Sequence, residues 1–222
     1  MNKLITFCNL CGSKNLSFLF YNYDRMYRID KLYKTYRCDN CSLIFLNPQP
    51  SQKEIDEHYP KNYYSFKGEE PKKITIKIYN ILFGEKNSVL RFFLSPLKKF
   101  IRSTIVVPHG KFLDVGCGSG KFLLTMKHLE MDCYGVEPGK MDGEFIKKHE
   151  LKIYNGDLEG AEYSNESFDV ISLSWVFEHV SDPSKMLNEL FRILKPNGKI
   201  ILSVPQSKSL MFYLFKKNWG AL

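Results

Sequence analysis

The stretch Phe112-Leu113-Asp114-Val115-Gly116-Cys117-Gly118-Ser119-Gly120 joins an apolar run to a glycine-rich turn. The apolar run predicts a buried strand, and the turn opens a predicted helix. The apolar stripe of that helix is Phe122, Leu123, Met126 and Leu129. The three glycines of the turn tolerate the left-handed backbone angles of a tight strand-to-helix connection and let a ligand approach the backbone closely. A glycine triplet alone also fits a simple tight turn, so the surrounding residues must decide between a ligand-binding loop and a turn without a ligand.

Carboxylates surround this turn. Glu137 ends the next predicted strand, and the carboxyl ends of parallel strands meet at one edge, so we expect it beside the glycines, facing both hydroxyls of a ribose. Asp157 follows a third strand, within reach of an adenine amino group. Asp114 stands where a dinucleotide-binding loop normally carries an apolar residue, and Gly120 comes two residues after Gly118 rather than three. This departure favours a cofactor with a cationic amino-acid tail over a pyrophosphate.

From residue 111 onward, short apolar strands alternate with helices, which predicts βαβ units and a parallel sheet. The predicted strands are Lys111–Val115, Asp132–Val136, Lys152–Tyr154, Asp169–Ser174 and Lys199–Val204. Before the last strand, Asp182 is a predicted N-cap with Pro183 in the first turn. The expected buried face of that helix is Met186, Leu187, Leu190, Phe191 and Leu194. Residues 210–217 predict a further helix.

As a set, these features resemble class I S-adenosylmethionine (SAM)-dependent methyltransferases over Lys111 to about Pro205. The resemblance rests on residues 114–120, Glu137, Asp157, Phe168-Asp169-Val170-Ile171, Glu178-His179-Val180 and Leu194-Lys195-Pro196-Asn197-Gly198-Lys199. It implies an α/β fold with a Rossmann-like parallel sheet and a SAM site at the carboxyl ends of the first strands. The implied cofactor-binding residues are Asp114, Gly116, Gly118 and Gly120 near the methionine moiety, Glu137 on the ribose, and Asp157 with Leu158 near adenine.

The family places its reacting groups after the fourth strand, where this chain reads Ser174-Trp175-Val176-Phe177-Glu178-His179. A histidine titrates near neutral pH, so His179 is a candidate general base, with positioning or packing as its alternative role. Glu178 is expected to orient the imidazole of His179 or to form hydrogen bonds with substrate hydroxyls. Trp175 is expected to form a wall rather than to do chemistry.

The resemblance also implies seven strands in the order 3-2-1-4-5-7-6, whereas five can be placed in this sequence. The last two strands are therefore expected to be missing, which would leave the fifth as an open apolar edge. We accordingly expect the 222 residues to bind SAM without efficient turnover unless a partner covers that edge.

Two C-x-x-C pairs, Cys8 with Cys11 and Cys38 with Cys41, are separated by 26 residues. Four thiolates can close a tetrahedral Zn²⁺ site, so the spacing predicts one structural zinc in a small zinc-ribbon-like domain. A redox dithiol is the rival interpretation. Cys117 and Cys133 are expected to be inert packing residues.

The chain thus divides into a zinc-binding domain over 1–50, a helical basic connecting region over 51–108 and a SAM-binding domain over 109–222. The net charge is +8, and eight Lys or Arg against one acid lie between Lys72 and Arg102, with aromatic residues interleaved. A solvated helix face explains this cluster, and contact with an anion or a membrane surface is the alternative. The absence of a signal-like or membrane-spanning run leads us to expect a cytoplasmic protein.

The zinc module joined to this core resembles enzymes that methylate nucleotide-linked sugars for bacterial polysaccharides or secondary metabolites. That resemblance implies a small-molecule acceptor. An RNA base methyltransferase is the alternative enzyme, because a basic chain with a zinc module can grip phosphates. A third alternative is a non-catalytic, truncated SAM-binding protein. The sequence leaves open the acceptor, the atom that is methylated and the oligomeric state.

Overall fold

The computed structural model describes residues 3–23, 31–57, 64–83, 93, 107, 109–206 and 209–215. The chain divides into two compact units. The N-terminal unit comprises Met1–Pro60, Glu178–Lys185 and Val204–Leu222. The sheet unit comprises Lys61–Phe177 and Met186–Ser203.

In chain order, the strands are β1 (Leu16–Asn22), β2 (Tyr33–Cys38), β3 (Ile44–Leu46), β4 (Lys111–Val115), β5 (Asp132–Glu137), β6 (Lys152–Asn155), β7 (Phe168–Ser174) and β8 (Leu194–Ser203). The helices are α1 (Gln52–Glu57), α2 (Lys73–Phe83), α3 (Lys121–Lys127), α4 (Gly143–Lys148), α5 (Pro183–Ile193) and α6 (Leu210–Phe215). Short 3₁₀ turns cover Tyr64–Phe66 and Phe177–His179.

The N-terminal unit contains a three-stranded antiparallel sheet in the order β1-β2-β3. The sheet is anchored by Asn47, whose buried side chain accepts a hydrogen bond from the Ile5 N–H and donates one to the Ile5 carbonyl, each at 2.9 Å. The following Asn47–Pro48 peptide bond is cis. Gln49 Nε2 donates to the carbonyl of Ser181 at 2.8 Å, which ties residues 178–185 to this unit.

The sheet unit is built on five parallel strands in the order β6-β5-β4-β7-β8. This is the 3-2-1-4-5 arrangement implied by the sequence, so the predicted Rossmann-like sheet is confirmed. Phe112 and Leu113 are both 0% exposed, yet they belong to different core clusters. Because successive residues of a strand point to opposite faces, both faces of β4 are covered, which explains why two apolar residues follow one another at Phe112 and Leu113.

Two details differ from the sequence predictions. In β8 the ladder starts at Leu194, opposite Phe168, and resumes at Lys199, opposite Val170. The strand therefore begins before the predicted start at Lys199, with a bulge between the two paired positions. In α5 the prediction that Leu187 and Phe191 are buried was wrong, since they are 41% and 78% exposed. Leu190 and Ile193 are both 0% exposed. The helix is rotated so that its buried stripe passes through Leu190 and Ile193, three residues apart.

The segment before β4 contributes helix α2 to the sheet unit. Tyr79 of α2 is buried in the core, with its ring 6.4 Å from that of Phe122 on α3. Within the predicted connecting region 51–108, residues 58–63, 84–92, 94–106 and 108 lie outside the described residues. Across the portions of the chain that the structure describes, no helix has the length and apolar character needed to cross a membrane.

Candidate functional site

The glycine loop, residues 116–120, lies between β4 and α3. Gly116, Gly118 and Gly120 have φ values of 69°, 55° and 81°, so all three adopt the left-handed conformation. The chain itself fills the space around them: a Cβ on Gly116 would overlap the Val176 side chain, and one on Gly118 would lie 2.6 Å from the Ser65 carbonyl oxygen. Backbone angle and packing within the protein therefore require glycine here, whether or not a ligand is bound.

The backbone N–H groups of the loop are bonded within the sheet unit. Those of Gly116 and Cys117 donate to the Val136 carbonyl at 2.8 and 3.2 Å. The Ser119 N–H donates to the Ser65 carbonyl at 2.7 Å. The loop is thus pinned on one side to β5 and on the other to the 3₁₀ turn Tyr64–Phe66.

Glu137, at the end of β5, is 7% exposed, and each of its carboxylate oxygens accepts one backbone N–H. Oε2 accepts from Gly118 and Oε1 from Gly139, both at 2.8 Å. Burial raises the pKa of Glu137, opposed by these two hydrogen bonds and assisted by the charge of nearby Asp114. Since a carboxylate has about four acceptor positions, these two bonds leave acceptor capacity for ligand hydroxyls.

Asp114 is 2% exposed in the middle of the sheet and accepts a hydrogen bond from the Ser172 hydroxyl of β7 at 2.8 Å. Two buried carboxylates, Asp114 and Glu137, therefore influence one another at the start of the glycine loop. A nearby positive charge would stabilise both in their ionised forms. The electrostatics of this edge favour a cationic ligand.

Asp157 and Leu158 follow β6, as the sequence predicts. Asp157 is exposed, and its Oδ1 accepts the Gly160 N–H at 2.7 Å, so part of its carboxylate stabilises a turn. The Leu158 side chain is 2% exposed and packs in the core. Only the backbone of Leu158 is therefore available to line a pocket.

Sequence reasoning missed two contributors to this edge of the sheet. Asn155 Nδ2 donates to the carbonyls of Glu137 and Gly139 at 2.8 and 3.0 Å, which locks the end of β5 to the end of β6. The Phe66 ring lies against Gly139, where an added Cβ would overlap it. The Asn residue at a strand end was a readable signal, whereas nothing local in the sequence marks Phe66, which is 73 residues from Gly139.

Glu178 and His179 belong to the N-terminal unit, and their side chains lie close to one another. His179 Nε2 lies 4.0 Å from Glu178 Oε1, and the side chains are 50% and 21% exposed, respectively. Partial burial lowers the pKa of His179 and raises that of Glu178. The imidazole is therefore neutral at pH 7 and able to accept a proton.

The four cysteines of the two C-x-x-C pairs converge in the N-terminal unit, with their Sγ atoms all within 4.8 Å of one another. Cys8 and Cys41 are 3.5 Å apart, as are Cys11 and Cys38. Zn–S bonds of about 2.3 Å place tetrahedral sulfurs about 3.8 Å apart, so the cluster fits a Zn²⁺ ion.

The two cysteine pairs share one backbone geometry. The residue after each second cysteine has positive φ, 72° at Gly12 and 65° at Ser42. Each also donates its N–H to the carbonyl of the first cysteine at 2.9 Å, Gly12 to Cys8 and Ser42 to Cys38. Such matched loops present both sulfurs of a pair to the same point.

The thiols of the cluster differ in acidity. A hydrogen bond with the Asn40 side chain, followed by one with the Ser13 backbone, lowers the pKa of Cys11 to about 6. The pKa of Cys41 rises to about 12, because desolvation and the three neighbouring cysteines outweigh the hydrogen bond with the Leu43 backbone. Four thiolates in this space repel one another, and a divalent cation would relieve that repulsion.

A parallel sheet in this strand order, with a glycine loop after its first strand and an acid at the end of its second, defines a Rossmann-like α/β protein of the methyltransferase type. The sequence profile of a methyltransferase domain family matches residues 86–222. Because that match spans more than half of the 222 residues, the chain belongs to this family.

The chain also resembles individual proteins. It is 34% identical over 102 residues to the mitochondrial ubiquinone biosynthesis O-methyltransferase of Schizosaccharomyces pombe, covering 42% of this chain and 37% of that one. It is 29% identical over 112 residues to the ubiquinone biosynthesis O-methyltransferase of Aliivibrio fischeri, covering 47% of each. It is 27% identical to the crystal structure of a SAM-dependent methyltransferase, a possible histamine N-methyltransferase, from Thermotoga maritima, with a TM-score of 0.45 and coverage of 63% and 68%. The chain spans about half or less of the length of these two curated relatives.

Proposed function

We propose that this chain acts in SAM-dependent methyl transfer to a small-molecule acceptor. The observation that carries the proposal is the buried pair Asp114 and Glu137, with Glu137 hydrogen-bonded to the glycine loop. SAM carries a positively charged sulfonium and an ammonium group, together with a ribose whose hydroxyls need acceptors. Both requirements match this edge of the sheet, and family membership points to the same chemistry.

In this proposal the methionine part of SAM lies near Asp114, Gly116, Gly118 and Gly120. Glu137 accepts the ribose hydroxyls with the acceptor positions not used by Gly118 and Gly139. Asp157 takes the adenine amino group with the oxygen that does not cap its turn, and the backbone of Leu158 lies alongside. SAM itself supplies a methyl group on an activated leaving group, so the protein mainly aligns the acceptor and removes its proton.

His179 is proposed as the group that accepts the proton, with Glu178 orienting it. The support is its position in the 3₁₀ turn Phe177–His179 that follows β7 along the chain, together with the lowered pKa of the imidazole. A base is needed only when the acceptor atom carries a proton that must leave, as a hydroxyl does.

We further propose that Cys8, Cys11, Cys38 and Cys41 hold one structural Zn²⁺. With four thiolates the metal has no open position for a substrate, so its contribution is to the stability of the N-terminal unit. The matched loop geometry supports this interpretation over a redox dithiol, which requires only one cysteine pair.

Two acceptor classes follow from different observations. The names of the curated relatives point to a phenolic or quinol ring as the methyl acceptor. The pairing of a cysteine-rich N-terminal unit with the methyltransferase fold supports the nucleotide-linked sugar expected from the sequence. The cytoplasm remains our expected location.

The deciding experiment measures binding and transfer separately. Calorimetry with SAM and S-adenosylhomocysteine on the purified chain tests the cofactor site. Transfer of a radiolabelled methyl group is then measured to 3,4-dihydroxybenzoate, to UDP-glucose and TDP-glucose, and to total RNA. Saturable cofactor binding is expected, with measurable though inefficient transfer to one of the small molecules. Transfer to RNA alone would overturn the small-molecule proposal, and absence of cofactor binding would overturn the function altogether.

A further inference from the structure

Trp175, the first residue after β7, has an unusual backbone conformation for its type. Its φ is 59°, in the left-handed region that bulky side chains rarely adopt. Eight non-glycine residues have positive φ in the described portions of the chain, and the other seven are polar. Glycine or asparagine would make this turn with less strain, so turning the chain does not account for the indole.

Trp175 is also exposed, in contrast to the apolar residues of the strand that precedes it. Ile171 and Leu173 of β7 are 0% exposed, whereas Trp175 is 58% exposed. A large apolar ring in solvent contributes little to folding, since burial of apolar surface is what stabilises the protein. Bulky residues held in strained conformations cluster at ligand sites, where the surrounding structure fixes them.

The surrounding structure does fix Trp175. Its backbone N–H donates to the Ser203 carbonyl at the end of β8 at 2.9 Å. The next residue, Val176, packs its side chain against Gly116 of the glycine loop. Val115 of β4 pairs with Leu173 of β7, so Trp175 follows that pair by two residues, at the same edge of the sheet as the loop. Trp175 is therefore an exposed aromatic residue at the same edge of the sheet as the proposed SAM site.

From this combination of strain, exposure and position, we infer that Trp175 is the acceptor-binding platform, on which an aromatic ring of the acceptor stacks. The inference rests on the proposed function and adds a specificity-determining residue to it. The ring is either that of a phenol or the base of a nucleotide-linked sugar. Stacked aromatic rings contribute to affinity beyond the area they bury, and an indole offers the largest face among side chains.

Fluorescence can report this contact directly, because the chain has two tryptophans and Trp219→Phe leaves Trp175 as the sole indole. The Trp219→Phe protein, saturated with S-adenosylhomocysteine, is titrated with 3,4-dihydroxybenzoate and, separately, with UDP-glucose and TDP-glucose. We expect saturable quenching either by 3,4-dihydroxybenzoate or by the nucleotide-linked sugars, and the class that quenches shows whether the stacked ring is a phenol or a nucleotide base. In the full chain, Trp175→Ala should weaken calorimetric binding of that probe by about tenfold, the scale of one lost stacking partner. Trp175→Phe should recover part of the loss.

The affinity for S-adenosylhomocysteine should remain within about twofold in both variants, which distinguishes an acceptor contact from general unfolding. Phe191→Ala is the matched control, since it removes another exposed aromatic ring, from a part of α5 that belongs to the same unit. Unchanged probe affinity in Trp175→Ala, or no saturable quenching by either class, would overturn the inference while leaving the cofactor site intact. Failure of the parent chain to bind S-adenosylhomocysteine would instead remove the proposed function and the inference together.

Discussion

The carboxylate of Glu137 accepts the backbone N–H of Gly118 at 2.8 Å, which joins the end of β5 to the turn that follows β4. The same side chain accepts the Gly139 N–H with its other oxygen. One buried acid thereby sets the shape of the glycine loop and keeps acceptor positions for a ligand. Substitution of Glu137 should consequently change the conformation of the glycine loop and weaken cofactor binding.

Glu137→Gln should weaken S-adenosylhomocysteine binding by about 1–3 kcal/mol, the scale for hydrogen bonds to a charged group. The amide presents an NH₂ group to one of two backbone N–H donors, so it cannot satisfy both. Calorimetry gives the dissociation constant, and Glu130→Gln on the exposed surface is the control. Equal affinity in wild type and Glu137→Gln would show that the ribose lies elsewhere.

Gly116→Ala should lower the free energy of unfolding by about 1–3 kcal/mol, because φ at this position is 69° and the new Cβ meets Val176. Gly143→Ala is a matched control with no atom within 4 Å of the added Cβ. Adding Val176→Ala to Gly116→Ala should recover the part of the lost unfolding free energy that comes from the steric overlap. The part that comes from the positive φ should remain. Denaturant unfolding measures all four proteins, and equal loss at Gly116 and Gly143 would contradict the assigned crowding.

The purified, reduced chain should contain about one zinc, which Cys38→Ser should lose and Cys133→Ala should keep. Cys133 is a buried cysteine in β5 and does not belong to the cluster, so it controls for loss of a thiol as such. Chelation should remove hydrogen-exchange protection from β1–β3, because the metal closes that small sheet, while β4–β8 stay protected. Metal content well below one per chain would reject the site.

His179 should give methyl transfer a characteristic pH dependence. Burial lowers the pKa of the imidazole below its ordinary value of 6.5, so half of the imidazole is already neutral at a pH below that value. The rate should rise with pH with its midpoint below pH 6.5, and His179→Gln should be slow with no such rise. kcat/KM from pH 5 to 8 with the best acceptor of the panel measures it. A similar profile in His179→Gln would assign the proton transfer to another group.

Much of the sheet unit was determined by the sequence itself. Strand β4 was predicted with both ends correct, because an apolar run bounded by charged and glycine residues is a local signal. The strand order followed from the family resemblance. Each C-x-x-C motif is a local signal, and the convergence of the two motifs was predicted because four thiolates can complete one zinc site. The N-cap role of Asp182 is confirmed by the hydrogen bond that its Oδ1 accepts from the Lys185 N–H at 3.0 Å.

Tertiary structure alone decided which side chains meet across long separations. The contact of Ser65 with Ser119, the position of Phe66 against Gly139 and the exposure of Phe191 depend on how distant segments pack. Helical periodicity gives the spacing of an apolar stripe, but the neighbouring sheet selects which stripe is buried. The left-handed conformation of Trp175 was equally invisible in the sequence. The contacts that accompany it, the hydrogen bond to Ser203 and the packing of Val176 on Gly116, form only when β4, β7 and β8 assemble.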